Sequence, residues 1–305
     1  MRASRQHASR ERASRVLVVG DLLYDLLAEV EEVAFGTDTF APIHAAAGGS
    51  GANTAAWLGR LGVETHFAGR VGDDAFGGFL NGELLRSGVT PHLARDRDLR
   101  TGKVFVLVDA AGERTMITDR GASEALRPED LPTQIFEPGT HLHLSGYTFS
   151  GGTRREAAFE ALRLAHEASM TVSVDPSSVP LLSDIGPDRF LKWTAGADLC
   201  LPNLDEGALL AGTREPETIL ATLREHYHGV VLKLGARGAA YAGEDADTLS
   251  LPAAATRVMD TTGAGDALCA GFLSAWMAGS PPAEALQCGV GTAGRVVGRI
   301  GSRPG

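Results

Sequence analysis

"DTTGAGDALCAGF", residues Asp260 to Phe272, is the stretch from which the fold of this chain is read. Gly263 and Gly265 remove side-chain cover where a loop turns into a helix, so the backbone amides of residues 263–266 stand open. The helix formed by "DALCAGFLSAWMAG" points its positive end at the same place, which makes an anion site. Asp266 lies just inside it. A neutral hydroxyl held between that carboxylate and a phosphate would give up its proton to Asp266. Such an arrangement suits phosphoryl transfer to an alcohol, where positioning and charge stabilisation do most of the work. The same residues also fit a plain glycine turn with an aspartate at a helix start, and locally the two readings are even.

Outward from this stretch, strands and helices alternate. Short β-branched runs occur at "VLVVGD" (16–21), "THLHLSG" (140–146), "TVSVDP" (171–176), "DLCLPN" (198–203) and "GVVLKLG" (229–235). Between them, apolar residues at three- and four-residue spacing mark helices over 52–61, 75–87, 154–168, 187–195, 204–211 and 215–227. Two more close the chain, at 264–278 and 282–298. The pattern predicts an α/β fold, a largely parallel sheet covered by helices on both faces, with ligands at the carboxyl ends of the strands. Two segments break the rhythm: residues 26–46 carry no helix pattern, and 101–119 read as two strands around a turn at Ala110-Ala111-Gly112. A small β-sheet lid built from about 26–46 and 98–119 is expected on a single domain, 16–305, with residues 1–15 a disordered leader.

Composition narrows the function classes. A chain of 305 residues, 44% hydrophobic and 22% charged, buries a full core. Its formal net charge of -10 offers no footprint for nucleic acid or an anionic membrane, so small molecules are the expected partners. No run reaches the roughly 20 apolar residues that a spanning helix needs. Cys200, Cys269 and Cys288 lack metal-site spacing and are each expected as small core residues in a reducing, cytoplasmic setting. "GVGTAG" (289–294) satisfies GxGxxG but has no room after it for a βαβ unit, and no Walker A loop is present. His141 and His143 share one strand face but have no evident third ligand for a metal.

Taken together, five motifs in order resemble the ribokinase-like, or PfkB, family of carbohydrate kinases. "AAAGGSGANTAAWLGRLG" (45–62) resembles the family's di-glycine signature, and "GRVGDDAFG" (69–77) the segment after it. "GERTMITDRGA" (112–122) is similar to the lid hairpin, "LPNLDE" (201–206) to the Asn-x-x-Glu element and "KLGARGA" (233–239) to the turn beside the nucleotide. With "DTTGAGD" they cover the chain from about residue 16 to its end. The resemblance implies a three-layer α/β/α kinase that phosphorylates a hydroxyl, a primary one, of a small sugar with ATP and Mg2+. An adenosine- or pseudouridine-type nucleoside kinase is the alternative, and a non-catalytic sugar-binding protein a third reading.

Residue by residue, the resemblance makes Asp266 the general base and the amides of Gly263, Ala264 and Gly265 the anion hole. Asn203 and Glu206 act through Mg2+ and its waters, although the same pair fits a helix capping box. Lys233, Gly235 and Gly238 line the nucleotide, although a lysine at a strand end also fits plain solvation. Asp25, Gly48, Gly49 and Asn53 hold the acceptor's hydroxyls, with Asp21 ranked below Asp25. Asp175 faces the same rim near the metal, or else makes a turn with Pro176. The segment at Asp260 and Thr262, with the loop "RIGSRPG" (299–305), matches a K+ site. Departures bear on the acceptor: Ser50 stands where ribokinases and the kinases acting on fructose 1-phosphate commonly carry lysine, and since a phosphorylated acceptor wants a cation there the serine disfavours one; Leu23 stands where ribokinases carry Asn, which suits a less polar acceptor. Phe40 and Phe105 are the candidates to line a nucleoside's base. The exposed lid sheet is expected to pair with a second copy as a homodimer.

Overall fold

The computed structural model describes residues 13–109, 114–243, 246–253, 261–298 and 301–304. Strand β1 (Arg15–Val19) alternates Leu17 and Val19 on one face with Val16 and Val18 on the other, all four fully buried. A strand apolar on both sides belongs inside a sheet covered by helices on both faces. The chain then leaves for β2 (Leu23–Glu29) and β3 (Ile43–Gly48) before α1 (Ser50–Arg60) brings it back. Strand β4 (Glu64–Gly72), α2 (Ala75–Arg86) and the edge strand β5 (Val89–Asp96) follow. After them come the lid strands β6 (Thr101–Val108) and β7 (Arg114–Gly121).

The second half winds as β8 (Thr140–Ser145), α3 (Gly152–Glu167), β9 (Thr171–Asp175), α4 (Val179–Ile185) and α5 (Pro187–Trp193). Strand β10 (Leu199–Cys200), α6 (Leu204–Ala211), α7 (Pro216–Leu223) and β11 (Gly229–Lys233) continue it. A hairpin, β12 (Ala239–Gly243) and β13 (Ala246–Leu251), precedes the closing helices α8 (Ala264–Met277) and α9 (Pro282–Val297). Nine strands form one sheet in the order β13-β12-β11-β10-β9-β8-β1-β4-β5, parallel except at the β12 and β13 end. One core joins Leu17, Leu142 and Val172 to α3, α5 and α7 through Ala161, Phe190 and Ile219. The other joins Val16, Val18 and Val231 to α1, α8 and α9 through Leu58, Phe272 and Leu286. The expected three-layer α/β/α architecture is therefore present.

A separate four-stranded sheet has the order β3-β2-β6-β7, with β2 parallel to β6 and the outer pairs antiparallel. It begins at Leu23, ahead of the expected 26, and encloses its own small core of Leu23, Val104 and Val106. Leu23 is thus lid packing. The expected turn at Ala110-Ala111-Gly112 and residues 1–12 of the expected leader lie outside the described residues. Ser14 N–H bonds Gly139 O, and Arg15 already belongs to β1, so ordered structure starts before residue 16.

Several elements depart from the sequence expectations for physical reasons. Strand β10 is two residues rather than six, because Pro202 has no N–H and Asn203 turns to cap α6. Strands β4 and β5 had no expectation: glycines interrupt β4, and β5 carries Pro91, which only an edge strand tolerates. The alanine-rich β12 offers little strand propensity of its own. Cys288 is exposed on α9 rather than a core residue, while Cys200 and Cys269 are buried. His141 and His143 are satisfied core histidines, sharing Ser173 Oγ at 2.7 and 2.8 Å, and burial pushes them down to about 3 and about 4.

Candidate active site

The carboxyl ends of β1, β8, β9 and β11 meet the amino ends of α1 and α8, and the charged residues collect there. Gly263 opens α8 in the left-handed region at φ 74°, with Ser302 so close that a Cβ would lie 2.5 Å from its side chain. Gly265 differs: its φ is ordinary and a Cβ would meet only Lys233, at 3.6 Å. The fold does not demand glycine at 265; a bare amide facing a ligand would. Ala264 N–H donates to Thr261 O at a long 3.3 Å.

Asp266 is held by both partners that α1 can offer. Ser50 Oγ donates to Oδ1 at 2.8 Å and Asn53 Nδ2 donates to Oδ2 at 3.0 Å. Burial outweighs these bonds and raises the carboxyl to about 6, with Asp175 adding to the rise. A base with a value near 6 is ionised at neutral pH yet basic enough to take a proton. Ser50 therefore orients Asp266, a role its replacement of lysine did not reveal.

Beneath α8 lies a buried acid cluster. Lys233 Nζ pairs with Asp175 Oδ2 at 2.6 Å, and Cys269 Sγ lies 3.3 Å from the same oxygen. Lys233 is 9% exposed, so it is a structural counter-charge below Gly265 rather than a solvated strand end. Burial works against its charge, but Asp175 foremost holds the ammonium charged well above the usual lysine range. Asp175 also accepts from Ser177 N–H through Oδ1, so the expected turn forms. Asn203 and Glu206 close a full capping box: Asn203 N to Oε2 at 2.8 Å, Nδ2 to Oε1 at 2.7 Å, and Glu206 N to Asn203 Oδ1 at 2.9 Å. Burial and then Asp175 raise Glu206 to about 7.

Gly235 and Gly238, both at positive φ, form the tight turn after β11, and a Cβ at Gly238 would strike Leu251 O at 2.0 Å. Among the described residues no three His, Cys, Asp or Glu groups converge as direct metal ligands. Asp175, Glu206 and Asp266 nevertheless outnumber Lys233, and that surplus fits a Mg2+ ion held through its own waters and a substrate's phosphates. Of the expected K+ segment, Asp260, residues 299–300 and Gly305 lie outside the described residues.

The residues expected to hold an acceptor lie between α1 and the small sheet. Gly48 is required there: a Cβ would sit 2.1 Å from Asp25 Oδ2. At Gly49, with φ 94°, a Cβ would lie 2.4 Å from Asp21 O. Asp25 is raised to about 7 by burial, with Arg303 pulling it down and Asp21 up. Its buried Oδ1 accepts no hydrogen bond within the described residues, which leaves an acceptor for a hydroxyl. The register pairs Asp25 with Val104 and Leu26 with Phe105, so Phe105 lies on the face turned away from Asp25, and Phe40 is 93% exposed. Neither expected aromatic lines a slot beside Asp25.

Sequence reasoning missed Arg303. Trp57 Nε1 holds Ser302 O at 2.9 Å, and that anchor carries Arg303 into the site. Its Nη2 donates to Gly48 O at 3.0 Å and its Nε to Asn53 Oδ1 at 3.1 Å, fixing the Asn53 amide between Arg303 and Asp266. A second missed pair, Arg120 and Arg154, lies near Asp21. Arg120 and Arg303 fall within the stretches 112–122 and 299–305 noted in the sequence, but nothing there marks the arginines themselves; the fold brings them here.

Comparison with known proteins gives the family and the fold. The family model described as pfkB family carbohydrate kinase matches residues 13–305. The chain is 32% identical over 270 residues to a fructokinase of Klebsiella pneumoniae, covering 85% of this chain and 83% of that one. It is 31% identical over 288 residues to an ATP-dependent ribose-1-phosphate kinase of Halopiger xanaduensis, covering 92% of each. Among solved structures, the adenosine kinase of Sinorhizobium meliloti superposes with a TM-score of 0.87 at 26% identity, covering 95% of this chain and 96% of that one.

Proposed function

The chain belongs to the pfkB family of carbohydrate kinases, and on that premise we propose that it transfers the γ-phosphoryl group of Mg-ATP to a primary hydroxyl of a small sugar held under the lid. The observation that carries this reading is Asp266, a carboxyl near 6 at the first turn of α8, oriented by Ser50 and Asn53. The acceptor oxygen attacks the γ-phosphorus as its proton passes to Asp266, the new P–O bond forms, and the bond to the β-phosphate oxygen breaks to release ADP. The amides of Gly263, Ala264 and Gly265 take the charge spread over the transferring group. Asp25 and Asn53 hold the acceptor's other hydroxyls, and the strand-turn from Lys233 to Gly238 borders the nucleotide. Bound Mg2+, near Asn203 and Glu206, would neutralise the phosphates.

Residues 16–305 act in this reading as one domain, with the lid closing over the acceptor to exclude water that would waste ATP. Phe105 and Ile117 are neighbours in register on the outward face of the lid, 45% and 64% exposed, and a second copy would cover them. The free thiols and the absence, among the described residues, of any helix able to cross a membrane fit a cytoplasmic setting. A nucleoside acceptor is the second reading, favoured by the likeness to an adenosine kinase and opposed by the placement of Phe40 and Phe105.

ADP release with Mg-ATP across ribose, fructose, ketodeoxygluconate, fructose 6-phosphate, adenosine, inosine and pseudouridine tests the assignment. Turnover on a sugar that stops with EDTA is the expected result; turnover on nucleosides alone would replace the sugar by the second reading, and none on any acceptor would count against the kinase.

The pH profile carries a separate prediction. A base works in its ionised form, so kcat/KM should rise with pH through about 6, the value of Asp266. Asp25, near 7, must also be ionised to accept two hydroxyl hydrogen bonds, which adds a second step. The expected slope of log kcat/KM is therefore near one between these values and near two below them, and Asp25→Asn should remove the upper step. A flat profile from pH 5 to 8 would contradict both assignments.

A further inference from the structure

Arg154 is a buried cation that the phosphoryl-transfer machinery does not use. It sits in the first turn of α3, the end of a helix where a positive charge is disfavoured, and α3 has no acid there and no side-chain cap. The residue is 1% exposed, and its guanidinium makes a long bond, Nη2 to Ser123 Oγ at 3.5 Å. Within the described residues Nε and Nη1 find no acceptor. Burial pushes the guanidinium down to about 10, with Asp21 pulling it up and Arg120 adding to the fall.

Arg120 stands at the end of β7, its guanidinium 3.9 Å over the Tyr147 ring and its Nη1 3.5 Å from Asp21 Oδ2. Asp21 is also shared with Gly51 N–H at 3.2 Å and Ser145 Oγ at 3.5 Å. One buried carboxylate, bonded at long range, thus faces two guanidiniums, while Glu124 is exposed and screened. A buried guanidinium lacking acceptors is costly unless a ligand completes it.

The place of the cluster says which ligand. The groups acting on Asp266 are Asn53, Asp175, Ser50 and Lys233; those acting on Arg154 are Asp21, Arg120, Glu124 and Tyr147. Arg120 reaches Asp21, Asp21 accepts from Gly51 N–H, and Gly48 and Gly49 run between Asp25 and Asp21, so the arginine cluster adjoins the side of the site where Asp25 stands. On the kinase reading above, we infer that the acceptor carries an anionic group, a phosphate monoester or a carboxylate, remote from the hydroxyl that reacts, and that Arg154 and Arg120 bind it. Planar guanidinium forks suit both anions.

Calorimetric binding to the intact protein tests this without requiring turnover. Ribose 1-phosphate and ketodeoxygluconate serve as the phosphate and carboxylate probes and ribose as the neutral one, with ADP release measured in parallel. The expected result is at least about tenfold tighter binding of one anionic probe than of ribose, falling to about threefold or less in Arg154→Met, with ATP affinity unchanged. Arg120→Met, at the half-buried lid edge, gives the same readout should Arg154→Met fail to fold. Ribose binding as tightly as both anions, or a preference untouched in a folded variant, would overturn the inference. Anion preference without ADP release would instead sink the kinase reading and leave the anion site standing.

Discussion

Asp266→Asn should lower kcat by about 10²–10⁴-fold while leaving ATP affinity within about twofold of the parent. The amide keeps the shape and can still meet Ser50 and Asn53, so the loss isolates proton acceptance from packing. A second readout separates the base from a merely structural acid. The folded carboxyl lies near 6 against an ordinary 3.8, so the folded state favours the protonated form, and ionisation costs stability progressively from about 4 to 6. Asn cannot ionise. The variant should therefore melt higher than the parent above pH 6, with the gap closing towards pH 4. Retained turnover, or loss of ATP binding, would remove Asp266 from the role of base.

Lys233→Met should destabilise the fold by about 3–5 kcal/mol, the cost of leaving a buried charge without its partner. The pair it breaks is 2.6 Å long with side chains 10% and 4% exposed, and Glu206 and Asp266 stand behind Asp175 without another lysine. Removing the cation should also raise the Asp266 value further and move the pH profile upward. Asp175→Asn combined with Lys233→Met should cost less than the sum of the two single changes, because the double variant buries no unpaired ion. Urea unfolding of the four proteins checks this; additive losses, or a single loss below about 1 kcal/mol, would mean the pair is not coupled in the folded protein.

Much of the site was legible because its parts are local. Gly263, Gly265 and Asp266 lie in one turn, Asn203 and Glu206 in another, and Gly48, Gly49 and Asn53 in a third; each spacing has a backbone reason visible in a single stretch. The alternating strands and helices were legible where apolar runs were long, as in β1, β8 and β11. Strands β4, β5 and β12 were not, since glycine, proline and alanine dilute the pattern that tertiary contacts then override. The charges whose meaning depends on distant partners were also illegible. Lys233 reads as a nucleotide contact or a solvated strand end until Asp175 is placed beside it, and Arg303 belongs to the site only because Trp57 holds Ser302. Ser50 reads as a missing lysine until Asp266 is found 2.8 Å away.

Incubation with ATP labelled in its γ-phosphate, followed by separation of products, tests the central claim most directly. The account predicts one labelled phosphoryl group on the acceptor for each ADP formed, with transfer by Asp266→Asn slowed about 10²–10⁴-fold. Label found in inorganic phosphate alone, or equal transfer by the variant, would contradict it.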